Sequence, residues 1–531
     1  MYDYIIVGAG SAGCVLANRL SEDPGVKVLL LEAGGKDWHP FIHMPAGLAK
    51  IANNKTINWD YSTTPQPQLN DRIVWWPRGK VLGGSSSINA MCYIRGVAGD
   101  YDAWAANGAD GWDWDTVLPW FKRAERNSRG ADAWHGADGP LSVCDPRNIN
   151  RLSEVFIEAG QQAGYARNDD FNGVRQEGVG LYQVTQKDGA RCSTAVAYLN
   201  PVKSRPNLTV HTGALAERVT FDRASGVPRA NGVAYSAHGK PIRATATREV
   251  ILCGGSINSP QLLMLSGIGP ADALRKLGID VVADSANVGQ NLQDHLDVCT
   301  LQHETQRTSY DRANELKTAF DYFLRGHQGP GTSNIAEGGA FIRSHLAPDA
   351  RPDIQLHFIP AMIDDHGRHR IKGDGYTMHA CFLRPRSRGE ITLASDRATD
   401  KPRIEPNYLG DPEGFDLKVM IECARISLDL FAQKAFDPYR GAPIFPAKTS
   451  LSESELVEFV RIKAETVYHP VGTCRMGSDD ASVVDPQLRV RGIEGLRVVD
   501  ASVMPTLPGG NTNAPTIMIA ERAADLIRGL I

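Results

Sequence analysis

Apolar residues follow two rhythms along this chain. At the start, "YDYIIVGAGSAGCVLANRL" passes through an apolar run closed by glycines and continues with Ala12, Val15, Leu16 and Leu20 at helical spacing. "VKVLLLEAGG" (26–35) is a second short buried strand ending in an acid, so the chain opens with a β-α-β unit. Further strand patterns stand at "LTVHTG" (208–213), "NGVAYSA" (231–237) and "REVILCGG" (248–255), the last running into a helix over "INSPQLLMLSGIG" that Gly267 and Gly269 close. From about 305 to 450 the texture changes. Strands such as "DIQLHFIPA" (353–361), "TMHACFLRP" (377–385) and "GEITLAS" (389–395) mix with a helical "EGFDLKVMIECARISLDLF" (413–431), which suits an antiparallel sheet covered on one face. The last eighty or so residues return to glycine-punctuated apolar strands, including "LRVVDAS" (496–502), and end in the helix "APTIMIAERAADLIRGL".

These elements predict an α/β fold: a Rossmann-like dinucleotide domain with a parallel sheet, interleaved with an α+β substrate domain on an antiparallel sheet. The expected segments are 1–155, 190–305 and 455–531 for the first domain, with 156–189 and 306–454 for the second. A length of 531 residues allows three or four units of about 150 residues, or two larger interleaved ones. The net charge of −4, with basic residues scattered, points away from nucleic acid. Nine widely spaced cysteines, an odd number without a C-x-x-C pair, speak for a reducing compartment and against a disulfide framework or a clustered metal site. The amino terminus lacks a basic, cleavable leader pattern, and no apolar run is long enough to span a bilayer. The expected location is therefore cytoplasmic, with any membrane contact peripheral, at the inner membrane.

Gly8, Gly10 and Gly13 form G-x-G-x-x-G between strand and helix, with Glu32 ending the next strand. The first glycine permits the tight turn, the second lets backbone approach a pyrophosphate, and the third packs helix on strand, while the acid can hold ribose hydroxyls. Near the other end, "AETVYHPVGTCRMG" (464–477) presents His469 five residues before Cys474. By itself this histidine reads as a general base, a metal ligand, half of a Cys/His nucleophile pair or a core residue.

"RGKVLGGSSSINAMCYIRG" (78–96), "GSINSPQLLMLSGIG" (255–269), "VGQNLQDHLD" (288–297), "YHPVGTCRMG" (468–477) and "LRVVDASVMPTLPGGNTNAPTIMIAERAADLI" (496–527) resemble, in order, the motifs of the glucose-methanol-choline (GMC) oxidoreductases. Within that family the chain looks most like the bacterial FAD-linked primary-alcohol dehydrogenases of alkane oxidation, then like choline dehydrogenases. The resemblance implies FAD, held noncovalently because Ile88 stands where some members have the histidine that bonds the flavin. It implies cofactor contacts from Ser11, Ala33, Gly83, Ser87, Asn89, Ala90, Val219, Asp500, Ala501, Asn511 and Thr512 besides the glycine turn and Glu32.

The same resemblance sets His469 and Asn513 against the flavin, the imidazole as sole proton acceptor and the amide as its orienting partner. Glu337 and Tyr468 are expected on the substrate side, Glu337 where choline-oxidising relatives hold a cationic headgroup. Cys474, His295, His357 and His379 are expected to be structural, and no metal is called for. Pro515 would open the last helix, its positive end beside Asn513. The implied activity is oxidation of a primary alcohol with electrons passing to a quinone or other carrier. The alternatives are an oxidase that uses oxygen and an FAD-containing lyase of the hydroxynitrile type.

Overall fold

The computed structural model describes residues 1–224, 226–369 and 371–531. Numbered along the chain, the strands used below are β1 (Tyr2–Val7), β2 (Val28–Glu32), β3 (Gly178–Leu181), β4 (Leu208–Thr212), β5 (Ala214–Asp222), β6 (Arg229–Ala237), β7 (Lys240–Leu252), β8 (Leu296–Glu304), β9 (Gly338–Ile342), β10 (Ile354–Ile359), β11 (Gly375–Phe382), β12 (Arg440–Phe445), β13 (Ala464–Thr466) and β14 (Leu496–Val498). The helices are α1 (Ser11–Leu20), α2 (Gly255–Leu265), α3 (Phe415–Ala432) and α4 (Asn513–Arg528).

The first sheet has the order β4-β2-β1-β7-β6-β5, with β14 beside β7. From β4 to β14 the pairings are parallel, whereas β5, β6 and the long β7 form an antiparallel meander. Strands β1 and β2 are apolar on both faces because helices and loops cover both sides. The chain leaves β1 toward β2 on one side and later returns to β7 on the other. A crevice therefore opens beyond the carboxyl end of β1, where ligands of such sheets bind.

The second sheet is antiparallel, in the order β12-β8-β11-β10-β9-β3, with β13 paired to β8. Two of its strands, β8 and β13, come from stretches that the sequence reading leaves in the dinucleotide domain, so those borders shift. "GEITLAS" departs in another way. Glu390–Thr392 pairs with Arg403–Glu405 in a separate two-stranded hairpin, closed over the buried Ile391 and Ile404. α3 packs across β8 and β11. Among the described residues, no helix is long and apolar enough to cross a membrane.

Candidate active site

The glycine turn is built as its spacing requires. Gly8 has φ +103°, and a Cβ there would lie 2.4 Å from the Cys253 carbonyl oxygen. A Cβ on Gly13 would lie 1.8 Å from Gly8 O, so this glycine serves the close packing of α1 on β1 and stays out of the cavity. Gly10 has open space on its Cβ side up to Gly84 Cα at 4.0 Å. Buried Glu32 accepts from the Ala9 amide (2.9 Å) and the Gly34 amide (2.8 Å), which pins its carboxylate at the turn. Burial pushes this carboxyl up to about 7.

From this turn a single cavity of about 390 Å³ runs to His469, lined on the way by Gly10, Ser11, Ala33, Asn89, Ala90 and Ala501. The amino ends of α1 and α4 meet across it, where Ser11 Oγ donates to Asn513 Oδ1 at 2.7 Å. Two helix starts facing one space favour an anion such as a pyrophosphate. Asp500 lies at its edge, held by the Gly255 amide (2.8 Å), Ser259 Oγ (2.6 Å) and the Ser502 amide (2.8 Å). An elongated space with an acid and a glycine turn at one end and a base at the other fits a dinucleotide that reaches from ribose to a reactive ring.

Several expected contacts are displaced by a residue or two. Ser87 is fully buried and its Oγ donates to the Leu82 carbonyl, away from the cavity. The left-handed turn at Gly83 (φ +86°) presents Gly84 and Ser85 to the cavity instead. The Val219 amide donates to Ser266 Oγ (2.8 Å), and the earlier residues of β5, Ala214 to Ala216, line the space. Pro515 is the third residue of α4, not the first; amides of a first helical turn have no partner within the helix, so proline costs nothing there.

The larger correction concerns the partner of His469. Its Nε2 meets Asn511 Nδ2 at 3.1 Å, whereas the Asn513 amide is engaged by Ser11. Asn511 cannot flip: Gln355 Nε2 donates to its Oδ1 at 3.0 Å, which turns the amino group toward the imidazole. His295 addresses the other edge of the ring, with Nδ1 to Nδ1 at 3.0 Å, and its own Nε2 lies 3.1 Å from the Leu383 carbonyl. A carbonyl only accepts, so His295 carries its proton on Nε2. Burial pushes His295 down to about 3, so its Nδ1 is bare and must accept from His469 Nδ1–H. Both neighbours thus leave the lone pair of His469 on Nε2, toward the cavity. Burial, then His295 and His357, hold the His469 imidazole well below its ordinary 6.5, and neutral.

The backbone fixes this ring as well. Tyr468 sits at φ +68°, held by Arg78 on its carbonyl (2.7 Å) and by Thr466 Oγ1 on its amide (2.8 Å). Asp294 accepts from the His469 amide at 2.7 Å. Tyr468 lines the cavity, and its hydroxyl meets His366 Nδ1. Cys474 is fully buried, and its thiol is pushed far up by burial. Glu337 does not reach the cavity. Its carboxylate accepts from the Asn150 amide (2.7 Å), Ser153 Oγ (2.7 Å), Ser333 Oγ (2.5 Å) and Tyr310 OH, so its expected substrate contact is replaced by a closed internal network.

Amino- and carboxy-terminal GMC oxidoreductase signatures match residues 2–297 and 385–520. The chain belongs to the GMC oxidoreductase family. This GMC oxidoreductase is 50% identical to the alcohol dehydrogenase [acceptor] of Pseudomonas putida, over 99% of this chain and 96% of that protein. It is 47% identical to the mitochondrial choline dehydrogenase of Mus musculus, over 99% of this chain and 89% of that protein. Among solved structures, pyridoxine 4-oxidase from Mesorbium loti superposes with a TM-score of 0.89 at 32% identity, covering 99% of this GMC oxidoreductase and 98% of the neighbour.

Proposed function

We propose that this GMC oxidoreductase oxidises a primary alcohol to the aldehyde with FAD, His469 Nε2 taking the hydroxyl proton. The observation that carries this reading is the His295–His469–Asn511 array, which leaves one unprotonated imidazole nitrogen facing the cavity. FAD, when bound, supplies the acceptor for the hydride that leaves the alcohol carbon.

The chain's own groups do the rest. In the free site the one lone pair of His469 Nε2 accepts from Asn511; the alcohol hydroxyl replaces that contact, the Asn511 amino group holds the alcohol oxygen, and His469 removes the proton as negative charge grows on that oxygen. The imidazolium that results donates through Nδ1 to His295, whose bare nitrogen is there only because Leu383 holds the proton of the opposite edge. Gly10, Ser11, Glu32 and the amino end of α4 would hold the pyrophosphate and ribose, and Asp500 and Ala501 the parts nearer the ring. Ile88 lines the cavity with aliphatic carbon alone, which supports a noncovalent cofactor. Electrons then pass to a quinone or another non-oxygen carrier, a reading supported by the likeness to an acceptor-type dehydrogenase.

His469→Ala tests the assignment. With FAD still bound, its flavin should be reduced by alcohol roughly a hundredfold more slowly, the loss of a positioned general base. Reduction at the normal rate would remove His469 from this role.

A further inference from the structure

The face of the antiparallel sheet turned to the cavity is polar where a core-covering sheet would be apolar. Alternation along β10 puts Gln355, His357 and Ile359 on one face. His357 faces His379 of β11; on the same strand Cys381 faces Asp297 of β8; and Asp297 faces Glu465 of β13. A polar stripe therefore crosses the sheet and ends at Gln355, which orients Asn511.

Two lining imidazoles of this wall are each anchored by one nitrogen. His379 Nδ1 meets Asp297 Oδ2, and His366 Nδ1 meets Tyr468 OH, so the Nε2 edge of each ring is the one left for the cavity. Among the described residues, Asp297 Oδ1, Glu465 Oε2 and His357 Nδ1 are buried in this wall without a hydrogen-bond partner. Buried polar atoms left unpaired are costly; of these three only His357 lines the cavity, where a ligand or a water can supply the partner, while Glu465 Oε2 lies 3.6 Å from His366 Nδ1. Ile335, Ile359, Ile363 and Val467 line the same region and offer room for methylenes.

We propose that this GMC oxidoreductase selects primary alcohols that carry a second hydroxyl, held by the Nε2 edges of His379 and His366 while the first hydroxyl is activated at His469. A hydroxyl both donates and accepts, so it suits an imidazole in either protonation state. A plain alkyl tail would leave these two Nε2 edges unpaired, and the quaternary ammonium of choline neither donates nor accepts. The proposal rests on the alcohol-oxidation reading above and names its substrate class.

The test compares kcat/KM of the holoenzyme for an n-alkanol, the terminal diol of the same chain length and choline, with an artificial electron acceptor. The diol should be favoured over both by at least about tenfold, the worth of one or two well-placed hydrogen bonds. In His366→Leu, and in the double variant Asp297→Leu with His379→Leu, the diol-to-alkanol ratio should fall toward one. The double variant removes both members of a buried pair, so no lone charge is left to unfold the protein. Equal use of diol and alkanol, preference for the alkanol or choline, or a ratio unchanged in both variants would overturn the proposal while leaving alcohol oxidation standing. Failure of every alcohol to reduce the flavin would overturn both.

Discussion

Replacing His295 is expected to slow catalysis although it faces away from the cavity. In His295→Leu the Nδ1–H of His469 loses its acceptor, now 3.0 Å away. Before proton transfer that bond joins two neutral rings and is worth about 0.5–1.5 kcal/mol; once His469 is an imidazolium it is charge-assisted and worth about 1.5–3 kcal/mol. Only the difference, about 1–1.5 kcal/mol, is lost from the barrier, or roughly five- to tenfold in rate. Without the acceptor the proton of His469 can also move to Nε2, which removes the base from part of the population and takes the loss to between about tenfold and a hundredfold. His295→Gln keeps a carbonyl oxygen for His469 and an amino group for Leu383, so it should recover most of the rate. The assay is anaerobic rapid-mixing reduction of the bound flavin at saturating alcohol. Normal reduction in the leucine variant, or equal loss in both variants, would refute the tautomer chain.

Three more outcomes follow from the same geometry. Asn511→Leu should lower kcat/KM by about tenfold or more, while Asn513→Leu should act mainly through weaker FAD retention, as measured by cofactor release; the reverse pattern would restore Asn513 as the partner of His469. Because His469 is held well below 6.5, kcat/KM should stay flat through neutral pH and fall only as acid protonates the lowered base, so an acid limb at or above 6.5 would contradict its environment. Glu337→Leu strands three buried donors and the half-buried Tyr310 hydroxyl and should lower stability by at least about 3 kcal/mol in denaturant unfolding, with the ranking of alcohols unchanged; a new ranking at unchanged stability would return Glu337 to the substrate side.

Much of this architecture is legible in the sequence because it rests on local rules. The G-x-G-x-x-G turn, Glu32 at the end of β2 and the two sheet textures each follow from periodicity and glycine geometry within about thirty residues. What stayed hidden depends on register. Asn511 and Asn513 stand two residues apart around Thr512, and only the direction in which α4 starts decides which one meets His469 and which meets Ser11. Ser87 and Val219 miss the cavity for a similar reason: one left-handed turn and one hydrogen bond to Ser266 rotate their neighbours into it. His295 carried a signal in its place between two acids in "QDHLD", but its role emerges only when β8 brings it against His469 and Leu383. The polar stripe of His357, His379, Asp297 and Glu465 is spread over four strands, and no pattern along the chain predicts which of their residues face each other.

The central claim is tested most directly by adding a primary alcohol to the FAD-loaded enzyme without oxygen and following the absorbance of the oxidised flavin. The account predicts that the yellow colour bleaches and that one aldehyde forms for each flavin reduced. An oxidised spectrum that persists with every alcohol tried, diols included, would contradict it and turn the same fold toward chemistry of the lyase kind.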